Sequence, residues 1–327
     1  MNRVLVVGLG SMGKRRVRLI QQVDPALKIC GVDAQKERRT EAAEQFGISC
    51  CSSIGEAIAE HSPEAGFVCT SPLAHHAIIM ELLGSGLHVF TEINLVSDGY
   101  EEMMALAEKS GKCLFLSSTF LYRKDVRYMI ERCQGKKLNY ILHTGQYLPD
   151  WHPWESYKSY FVGAVRTNGC REIMAIDLPW ILAAFGSVTD VQVRKSRDSS
   201  LELDYEDSYI ISMEHESGSK GVYACDLLSR KAVRSAEIFS EDLHLLWQGT
   251  PDSLMEYDIR EKKAVSVKTY RESIDHQVGY ASNIIENAYL EEIRQFFAQV
   301  AGTETPPYGF SDDLRTIELI NRIEGRS

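Results

Sequence analysis

The sequence lacks the features that mark several classes of protein. Its 36 Lys and Arg residues are outnumbered by 46 Asp and Glu residues, which gives a formal net charge of −10. A nucleic-acid-binding surface needs a clustered basic face, and a membrane span needs ~20 consecutive apolar residues; we find neither pattern in the chain. We therefore expect no nucleic-acid partner and no membrane insertion.

The eight cysteines exclude a further class of site, because none of them forms a C-x-x-C pair. Several of them lie in predicted strands, which is typical of small buried side chains in a reducing compartment. We expect a cytoplasmic protein without a bound metal. The 327 residues are enough for two domains, each with its own core.

What the sequence does contain is a dinucleotide-binding signature at its start. The apolar run Arg3 to Val7 leads into a complete G-x-G-x-x-G turn, and a helical pattern follows. The first glycine allows the tight turn, the second lets the backbone approach a pyrophosphate, and the third lets helix and strand pack closely. The unpaired N–H groups of the helix start then face the phosphates. The residues predicted to bind the cofactor here are Gly8, Gly10, Ser11, Met12 and Gly13.

An acidic residue completes this signature. A second apolar run, Leu27 to Val32, ends in Asp33, where a carboxylate would accept hydrogen bonds from the adenosine ribose. Asp33 would also repel the 2′-phosphate of NADP, although Arg38 and Arg39, a helical turn further on, would partly offset this repulsion. The sequence favours NAD over NADP.

The order of predicted elements changes once along the chain. Over the first ~120 residues strands alternate with helices, which indicates β-α-β units wound on one parallel sheet. After Tyr122 long strand patterns follow one another with few helices between them, which indicates a mostly antiparallel sheet. The predicted fold is α/β, with an N-terminal Rossmann doubly wound parallel sheet in residues 1–121. Residues 122–327 are predicted to form a C-terminal α+β domain with an open, mostly antiparallel sheet.

At this point the chain resembles the Gfo/Idh/MocA family of nicotinamide-dependent oxidoreductases. The resemblance rests on the glycine-rich turn, the loop Thr70 to His75, the strand end His88 to Glu92 and the closing stretch Phe310 to Leu319. It implies that the open sheet of the second domain forms dimer or tetramer contacts, and that the substrate is a sugar or a related polyol. It also implies a set of cofactor contacts, at Thr70, Ser71, Pro72, His75 and Glu92.

Two positions depart from the family pattern. The family usually carries Glu-Lys-Pro where this chain has Glu92-Ile93-Asn94, and a histidine where this chain has Met174, three residues before Asp177. Both usual proton-handling groups are therefore missing. Oxidation of an alcohol needs a group that takes the hydroxyl proton, and such a group typically accelerates the reaction ~10²–10⁴-fold.

Polar and aromatic residues of the second domain are the candidates to replace those groups. The stretch from Trp151 to Phe161, with Gly169 to Glu172, resembles a subgroup of the family that shares both departures. Pro179 predicts a break in the helix that carries Asp177. The predicted catalytic residues are His152, Tyr157, Glu172 and Asp177. Those predicted to contact the substrate, through aromatic stacking or hydrogen bonds, are Asn94, Trp151, Trp154, Tyr160 and Arg171.

The sequence leaves three functions open. The first is an NAD(P)-dependent oxidoreductase that transfers a hydride between nicotinamide and a sugar, a sugar acid or a related polyol. The second is an enzyme that retains NAD and catalyses an epimerisation or elimination without net redox change. The third is a non-catalytic partner that binds NAD or a sugar, an interpretation that the missing lysine and histidine favour.

Overall fold

The computed structural model describes residues 1–274 and 284–326. These divide into two compact units. The first comprises Met1–Ser118 and Tyr289–Leu314, and the second comprises Thr119–Ala288 and Arg315–Ser327. The stretch after Tyr289 therefore returns to the first unit, although it lies far along the chain.

The first unit is a parallel sheet with helices between its strands. The strands are β1 (Arg3–Val7), β2 (Lys28–Val32), β3 (Ser49–Cys51), β4 (Ala65–Val68), β5 (His88–Thr91) and β6 (Leu114–Leu116). The helices that connect them are α1 (Ser11–Val23), α2 (Lys36–Phe46), α3 (Ile54–His61), α4 (His75–Gly84) and α5 (Tyr100–Ser110). The strand order is β3-β2-β1-β4-β5-β6, so the winding direction reverses between β1 and β4. Ligands of such sheets bind at the carboxyl ends of the strands next to this reversal.

Aromatic residues in register form the core of this sheet. Phe67, Phe90 and Phe115 lie opposite one another on β4, β5 and β6. Their rings stack with centroids 4.9 and 5.0 Å apart, and Phe296 packs edge-on against all three. Phe296 belongs to α8 (Glu286–Val300), and this packing explains why the stretch after Tyr289 returns to the first unit.

The second unit is built around a larger sheet. Its strands are β7 (Asn139–Gly145), β8 (Val188–Ser196), β9 (Ser208–His215), β10 (Lys220–Asp226), β11 (Val233–Phe239), β12 (His244–Trp247), β13 (Met255–Asp258) and β14 (Lys263–Ser266). They are ordered β14-β13-β12-β11-β7-β10-β9-β8. The β7–β10 pair is parallel and the other recorded pairs are antiparallel. The helices of this part of the chain are α6 (Lys124–Cys133), α7 (Gly169–Phe185) and most of α9 (Phe310–Glu324).

The two faces of this larger sheet differ in burial. Along β9 buried residues alternate with exposed ones, with Tyr209, Ile211 and Met213 inside. On the other face Ile141, Ile210 and Val222 are exposed. Such alternation is the mark of a sheet that is covered on one face only.

The predicted α/β fold, with a parallel Rossmann sheet followed by a mostly antiparallel sheet, is confirmed. The short edge strand β3 and the β13–β14 hairpin were not predicted. Each of these strands has only three or four residues, and those of β14 are all exposed, so the sequence shows no alternation of apolar and polar residues there. The predicted break at Pro179 is wrong, since α7 runs through it from Gly169 to Phe185. Most of α7 is buried, and tertiary packing compensates for the hydrogen bond that proline removes. No helix in the described parts of the chain has the length and apolarity to cross a membrane.

Candidate functional site

The glycine-rich turn after β1 is fixed by close backbone contacts. Gly8 has a φ of +89° and donates its N–H to the carbonyl oxygen of Val32 over 2.8 Å. A Cβ atom on Gly13 would lie 1.8 Å from the carbonyl oxygen of Gly8, so only glycine fits there. At Gly10 the nearest atom to such a Cβ is Nη1 of Arg38, 3.9 Å away. The turn is thus tightly packed at Gly8 and Gly13 but open at Gly10, where a pyrophosphate must approach the backbone.

Asp33, at the end of β2, faces this turn. Its carboxylate accepts the N–H of Leu9 at Oδ2 and the N–H of Gln35 at Oδ1, both over 2.8 Å. Nη1 of Arg38 lies 3.6 Å from Oδ2, and the Arg38 side chain is half exposed. Arg39 instead donates to the carbonyl oxygens of residues 33 and 34. Asp33 is therefore held next to the turn with acceptor capacity left for ribose hydroxyls.

The loop after β4 reaches the same strand ends. The methyl group of Thr70 lies against Gly8, and the Thr70 hydroxyl is buried with no hydrogen-bond partner among the described residues. His75 is buried, with Nε2 3.0 Å from the Thr70 carbonyl oxygen and Nδ1 2.6 Å from Oδ1 of Asn94. Burial lowers the pKa of His75, so the ring is neutral near pH 7. His75 thus ties the loop after β4 to the loop after β5.

Glu92 is engaged by a buried arginine. The Arg16 guanidinium donates to Oε1 of Glu92 over 2.5 Å and to Oε2 over 3.1 Å, and also to Glu292 over 2.8 Å. Burial alone would lower the pKa of Arg16, but the two carboxylates raise it instead. Burial also raises the pKa of Glu292, whose other oxygen accepts the Ser117 hydroxyl. Any cofactor contact of Glu92 would have to be shared with this ion pair.

The first unit therefore places most of the predicted cofactor residues around the carboxyl ends of β1, β2 and β4. Ser11 and Ser71 are exposed at the starts of α1 and of a short 3-10 turn, and Pro72 begins that turn. The sulfur of Met12 lies 3.2 Å from Nη1 of Arg15. The open front of Gly10, the orphaned Thr70 hydroxyl and the positioned Asp33 carboxylate together fit a bound dinucleotide.

In the second unit the predicted aromatic loop forms a stack. The His152 ring lies between Trp154 and Tyr160, with centroid distances of 5.1 and 4.6 Å. Trp154 at the end of this stack is 68% exposed. Nδ1 of His152 also bonds Oε1 of Glu155 over 2.8 Å. The loop thus presents a flat aromatic surface to solvent, of the kind on which sugar rings stack.

The other two aromatic residues predicted in this loop have different surroundings. Trp151 donates its indole N–H to the carbonyl oxygen of Gln146 over 3.1 Å, which anchors the start of the loop. Tyr157 begins a short 3-10 turn and is partly exposed.

Glu172 lies in the first turn of α7, close enough to Tyr160 for its charge to act on that hydroxyl. Burial raises the pKa of Glu172 from its ordinary 4.5 to about 7. Burial and the negative charge of Glu172 both raise the pKa of Tyr160, whose hydroxyl is buried and bonds to no group in the described part of the chain. Glu172 is therefore a carboxyl group that exchanges its proton near neutral pH.

Arg171, next to Glu172, is committed to an internal cluster. It is 2% exposed and ion-paired with Glu324, and its Nη2 donates to Asn321 over 2.7 Å. The N-cap residue Asn168 accepts the N–H of Arg171 and donates to the same glutamate. The guanidinium thus fastens the start of α7 to the end of α9.

Asp177 is also enclosed by partners. It is 2% exposed, ion-paired with Arg234, and accepts the Tyr223 hydroxyl over 2.9 Å and the Trp180 indole N–H over 3.3 Å. Met174, at the position of the family histidine, is fully buried in the core. Among the predicted proton-handling groups, Asp177 is buried, whereas His152, Tyr157 and Glu172 are partly exposed.

Sequence reasoning missed the partners of these charged residues. Arg16 belongs to the basic run Lys14 to Arg16, yet it is fully buried with Glu92 and Glu292. Its position on the apolar side of the α1 pattern was the available signal. No sequence pattern indicated that Arg234 forms an ion pair, because its partner Asp177 is distant in the chain.

The fold and the nucleotide site define the first unit as a Rossmann-type dinucleotide-binding domain. Residues 2–118 match the Gfo/Idh/MocA family model, which is described as an oxidoreductase family with an NAD-binding Rossmann fold. This match agrees with the predicted resemblance over the first unit, which has the NAD-binding Rossmann fold that the family model describes. No curated protein matches the chain significantly.

Solved structures share the fold over almost the whole chain. UDP-N-acetylglucosamine 3-dehydrogenase GnnA from Acidithiobacillus ferrooxidans has a TM-score of 0.77 at 15% identity, covering 99% of this chain and 96% of its own. Levoglucosan dehydrogenase, solved with NADH and levoglucosan, has a TM-score of 0.78 at 16% identity, covering 98% and 96%. The WlbA dehydrogenase from Bordetella pertussis, solved with NADH and UDP-GlcNAcA, has a TM-score of 0.74 at 15% identity, covering 98% and 95%.

Proposed function

We propose that the protein is an NAD-dependent oxidoreductase that interconverts a secondary alcohol and a ketone on a sugar or sugar derivative. The observation that carries the proposal is Glu172, a carboxyl group whose pKa burial raises to about 7, beside an exposed aromatic stack. Three structures with the same fold are named as dehydrogenases, and two of them were solved with a sugar or nucleotide sugar. The NAD-binding family of the first unit agrees with this function.

In the first unit, the residues around the carboxyl ends of β1, β2 and β4 would hold the dinucleotide. The turn at Gly10 and the start of α1 would face the pyrophosphate, and Asp33 would accept the ribose hydroxyls. The Thr70 hydroxyl, buried without a partner, is a donor available to the cofactor. When bound, NAD supplies a hydride acceptor or donor.

The choice of NAD over NADP rests on Asp33. Its carboxylate lies where a 2′-phosphate would come, and two backbone N–H bonds keep it there. The Arg38 guanidinium is 3.6 Å away and half exposed, so it offsets part of the repulsion. We propose NAD as the preferred cofactor, with weaker use of NADP.

Glu172 is proposed as the general acid and base. In the oxidation direction its carboxylate takes the proton of the substrate hydroxyl while the carbon gives up a hydride, and the reverse reaction returns both. A pKa near the working pH lets one group serve both directions. The Tyr160 hydroxyl, which feels the charge of Glu172, is a second donor toward the substrate. His152 and Tyr157 remain alternative proton carriers, and Asp177 is the weakest candidate because Arg234 and Tyr223 occupy it.

The aromatic stack is proposed to bind the sugar. Its outer ring, Trp154, is exposed and flat, and the C–H face of a pyranose packs well against such a ring. Trp151 holds the loop and would act by positioning it. Arg171 and Asn94 were predicted to contact the substrate, but both carry internal bonds, to Glu324 and to His75. We propose that they position their loops.

The exposed face of the larger sheet is the proposed subunit contact. Ile141 and Val222 lie opposite each other on β7 and β10, and Ile210 lies one strand further on. These apolar side chains are exposed in the isolated chain. A homo-oligomer, dimer or tetramer, would cover them.

The test has two stages. Thermal unfolding of the purified protein with NAD, NADH, NADP and NADPH establishes the cofactor, because a ligand at 100 times its Kd adds ~2.7 kcal/mol to stability. Nucleotide sugars and free sugars are then screened for formation or loss of NADH absorbance. Turnover that depends on Glu172 supports the proposal.

Two results would replace it with another function. NAD released only on denaturation, with product formed but no free NADH, would favour an epimerisation or elimination with internal redox cycling. Tight sugar binding without any turnover would favour a non-catalytic partner. Ile93 and Met174, which cannot carry a proton, and the ion-paired Asp177 support that interpretation.

A further inference from the structure

A cluster of metal-ligating side chains lies in the first unit at the edge of its sheet. Cys30 is on β2, Cys51 ends the edge strand β3, and Glu60 and His61 end helix α3. The two cysteine sulfurs and a ring nitrogen of His61 all lie within 4.8 Å of one another. A carboxylate oxygen of Glu60 lies 4.0 Å from the Cys51 sulfur and 3.9 Å from Nε2 of His61.

The spacing of these atoms matches a tetrahedral ion. Zn–S bonds of ~2.3 Å in a tetrahedron place two sulfurs ~3.8 Å apart. The sulfurs of Cys30 and Cys51 are 3.7 Å apart. The His61 nitrogen lies within 4.8 Å of both sulfurs, and the Glu60 oxygen lies 4.0 Å from the Cys51 sulfur, so both are near enough to supply the remaining donors.

Strand register separates this arrangement from a disulfide. Cys30 pairs with Ser49, and Cys51 pairs with Val32, so the two cysteines share a face of the sheet but are offset by two residues. Parallel strands lie about 4.8 Å apart and rise about 3.3 Å per residue, so an offset of two residues places the two Cα atoms about 8 Å apart. This exceeds the range of about 4.4–6.8 Å that disulfides tolerate. An ion between the sulfurs needs no backbone movement.

We propose that Cys30, Cys51, His61 and Glu60 bind one zinc ion that fastens the edge strand β3 and the end of α3 to β2. Thiolate and imidazole ligands favour zinc among the common divalent ions, and each thiol releases its proton to solvent when the ion binds. The site replaces the sequence-based expectation of no metal. That expectation relied on C-x-x-C spacing, which is unnecessary when the ligands come from three separate elements.

The surroundings allow an ion to enter and remain. The two cysteines are buried, whereas His61 and Glu60 are 31% and 60% exposed in their side chains. Cys30 and His61 also line a cleft of about 400 Å³. Helix α3 is fixed at its other end, where the Ser53 hydroxyl caps Glu56 and the Glu56 carboxylate accepts the N–H and hydroxyl of Ser52. The ligand set is therefore presented by anchored elements with one open side.

The chain contains a matched control for the test. Cys50 is the neighbour of Cys51 on β3, but it pairs with Gly31 and its sulfur lies on the opposite face of the sheet. Cys50→Ser removes a thiol from the same strand without touching the cluster. Cys30→Ser and Cys51→Ser each remove a proposed ligand, and His61→Gln removes one from a partly exposed position where folding is not at risk.

The experiment is a titration of the full-length protein, freed of metal with a chelator, with Co²⁺ and then Zn²⁺. We expect one Co²⁺ per chain, a sulfur-to-cobalt charge-transfer band, and displacement of the cobalt by zinc. Cys30→Ser and Cys51→Ser should abolish the band or weaken binding by ~10²-fold or more, since even partners outside the ligand set contribute ~10–100-fold. His61→Gln should weaken binding at least ~10-fold, and Cys50→Ser should bind as the wild type does.

Zinc should also raise the unfolding temperature of the wild type and of Cys50→Ser, but not that of Cys51→Ser. The proposal is overturned if no charge-transfer band forms, if Cys50→Ser loses binding as the ligand variants do, or if alkylation and mass analysis show Cys30 and Cys51 oxidised together. If the serine variants do not fold, His61→Gln decides the outcome by itself. None of these measurements depends on NAD or on turnover, so the result is independent of the proposed enzymatic function.

Discussion

Replacing Glu172 with glutamine should change stability and activity in opposite directions. The substitution keeps the shape of the side chain and removes its titration. Burial raises the pKa of Glu172 from 4.5 to about 7 in the folded protein, so the folded state holds this proton more tightly than the unfolded chain. The ionised carboxylate therefore destabilises the fold as pH rises, a cost that begins near pH 4.5 and is complete above pH 7.

The size of this cost follows from the shift. A pKa raised by this much lowers the free energy of unfolding by about 3 kcal/mol at pH 8. At roughly 2–4 °C per kcal/mol for a unit of this size, Glu172→Gln should unfold roughly 6–12 °C higher than the wild type at pH 8. The difference should shrink toward zero at pH 4.5, where the wild-type carboxyl group is protonated in the folded state.

Activity should respond in the reverse sense. In the oxidation direction the wild-type rate should rise with pH through about 7 as Glu172 ionises, whereas the reduction rate should fall over the same range. Glu172→Gln should lose this inflection and lower kcat ~10²–10⁴-fold, the usual contribution of a general base.

The assays are thermal unfolding from pH 4.5 to 8 and NADH absorbance over the same range. Glu241→Gln, which removes an exposed carboxylate of the second unit, is the control and should alter neither profile. A stability difference that does not vary with pH would refute the raised pKa. A retained pH inflection in Glu172→Gln would refute its role in proton transfer.

Three further variants address the other parts of the site. Asp33→Asn should weaken NAD binding ~10–100-fold, because a charge-assisted hydrogen bond contributes about 1.5–3 kcal/mol; nucleotide titrations should show NADP much less affected, and equal losses would contradict the ribose contact. Tyr160→Phe removes a buried hydroxyl that makes no hydrogen bond to the described residues, so the unfolding free energy should stay the same or rise, by up to about 1–3 kcal/mol. A fall in kcat would then assign the hydroxyl to the reaction, whereas an unchanged kcat would leave it without a role. Asp177→Asn breaks a buried ion pair with Arg234 and should cost about 3–5 kcal/mol in urea unfolding; loss of kcat at unchanged stability would instead indicate a catalytic aspartate.

Much of the first unit could be predicted from local sequence signals. The glycine-rich turn, Asp33 and the alternation of strands and helices each lie within a short stretch of chain, and each has one common structural solution. The strands of the parallel sheet alternate with helices as predicted. Short or exposed strands such as β3 and β14 escaped prediction because only their neighbours stabilise them.

The state of each charged residue depended on partners far along the chain. Arg171 and Asp177 both carried plausible substrate roles in the sequence, yet Glu324 and Arg234 pair with them inside the second unit. Glu172, only one residue from Arg171, remains without such an ion pair among the described residues. Charge and spacing along the sequence do not show which of these residues is paired, whereas tertiary packing does.

The sequence by itself determined the parallel nucleotide-binding sheet and the mostly antiparallel second sheet, because these depend on periodicity and on turns that form locally. Only the tertiary structure decided which carboxyl group is half-buried without an ion pair among the described residues, and which cysteines face each other across two strands. A pKa depends on desolvation and on nearby charges, and metal ligation depends on distances between separate elements. Both are properties of three-dimensional packing that no local sequence pattern encodes.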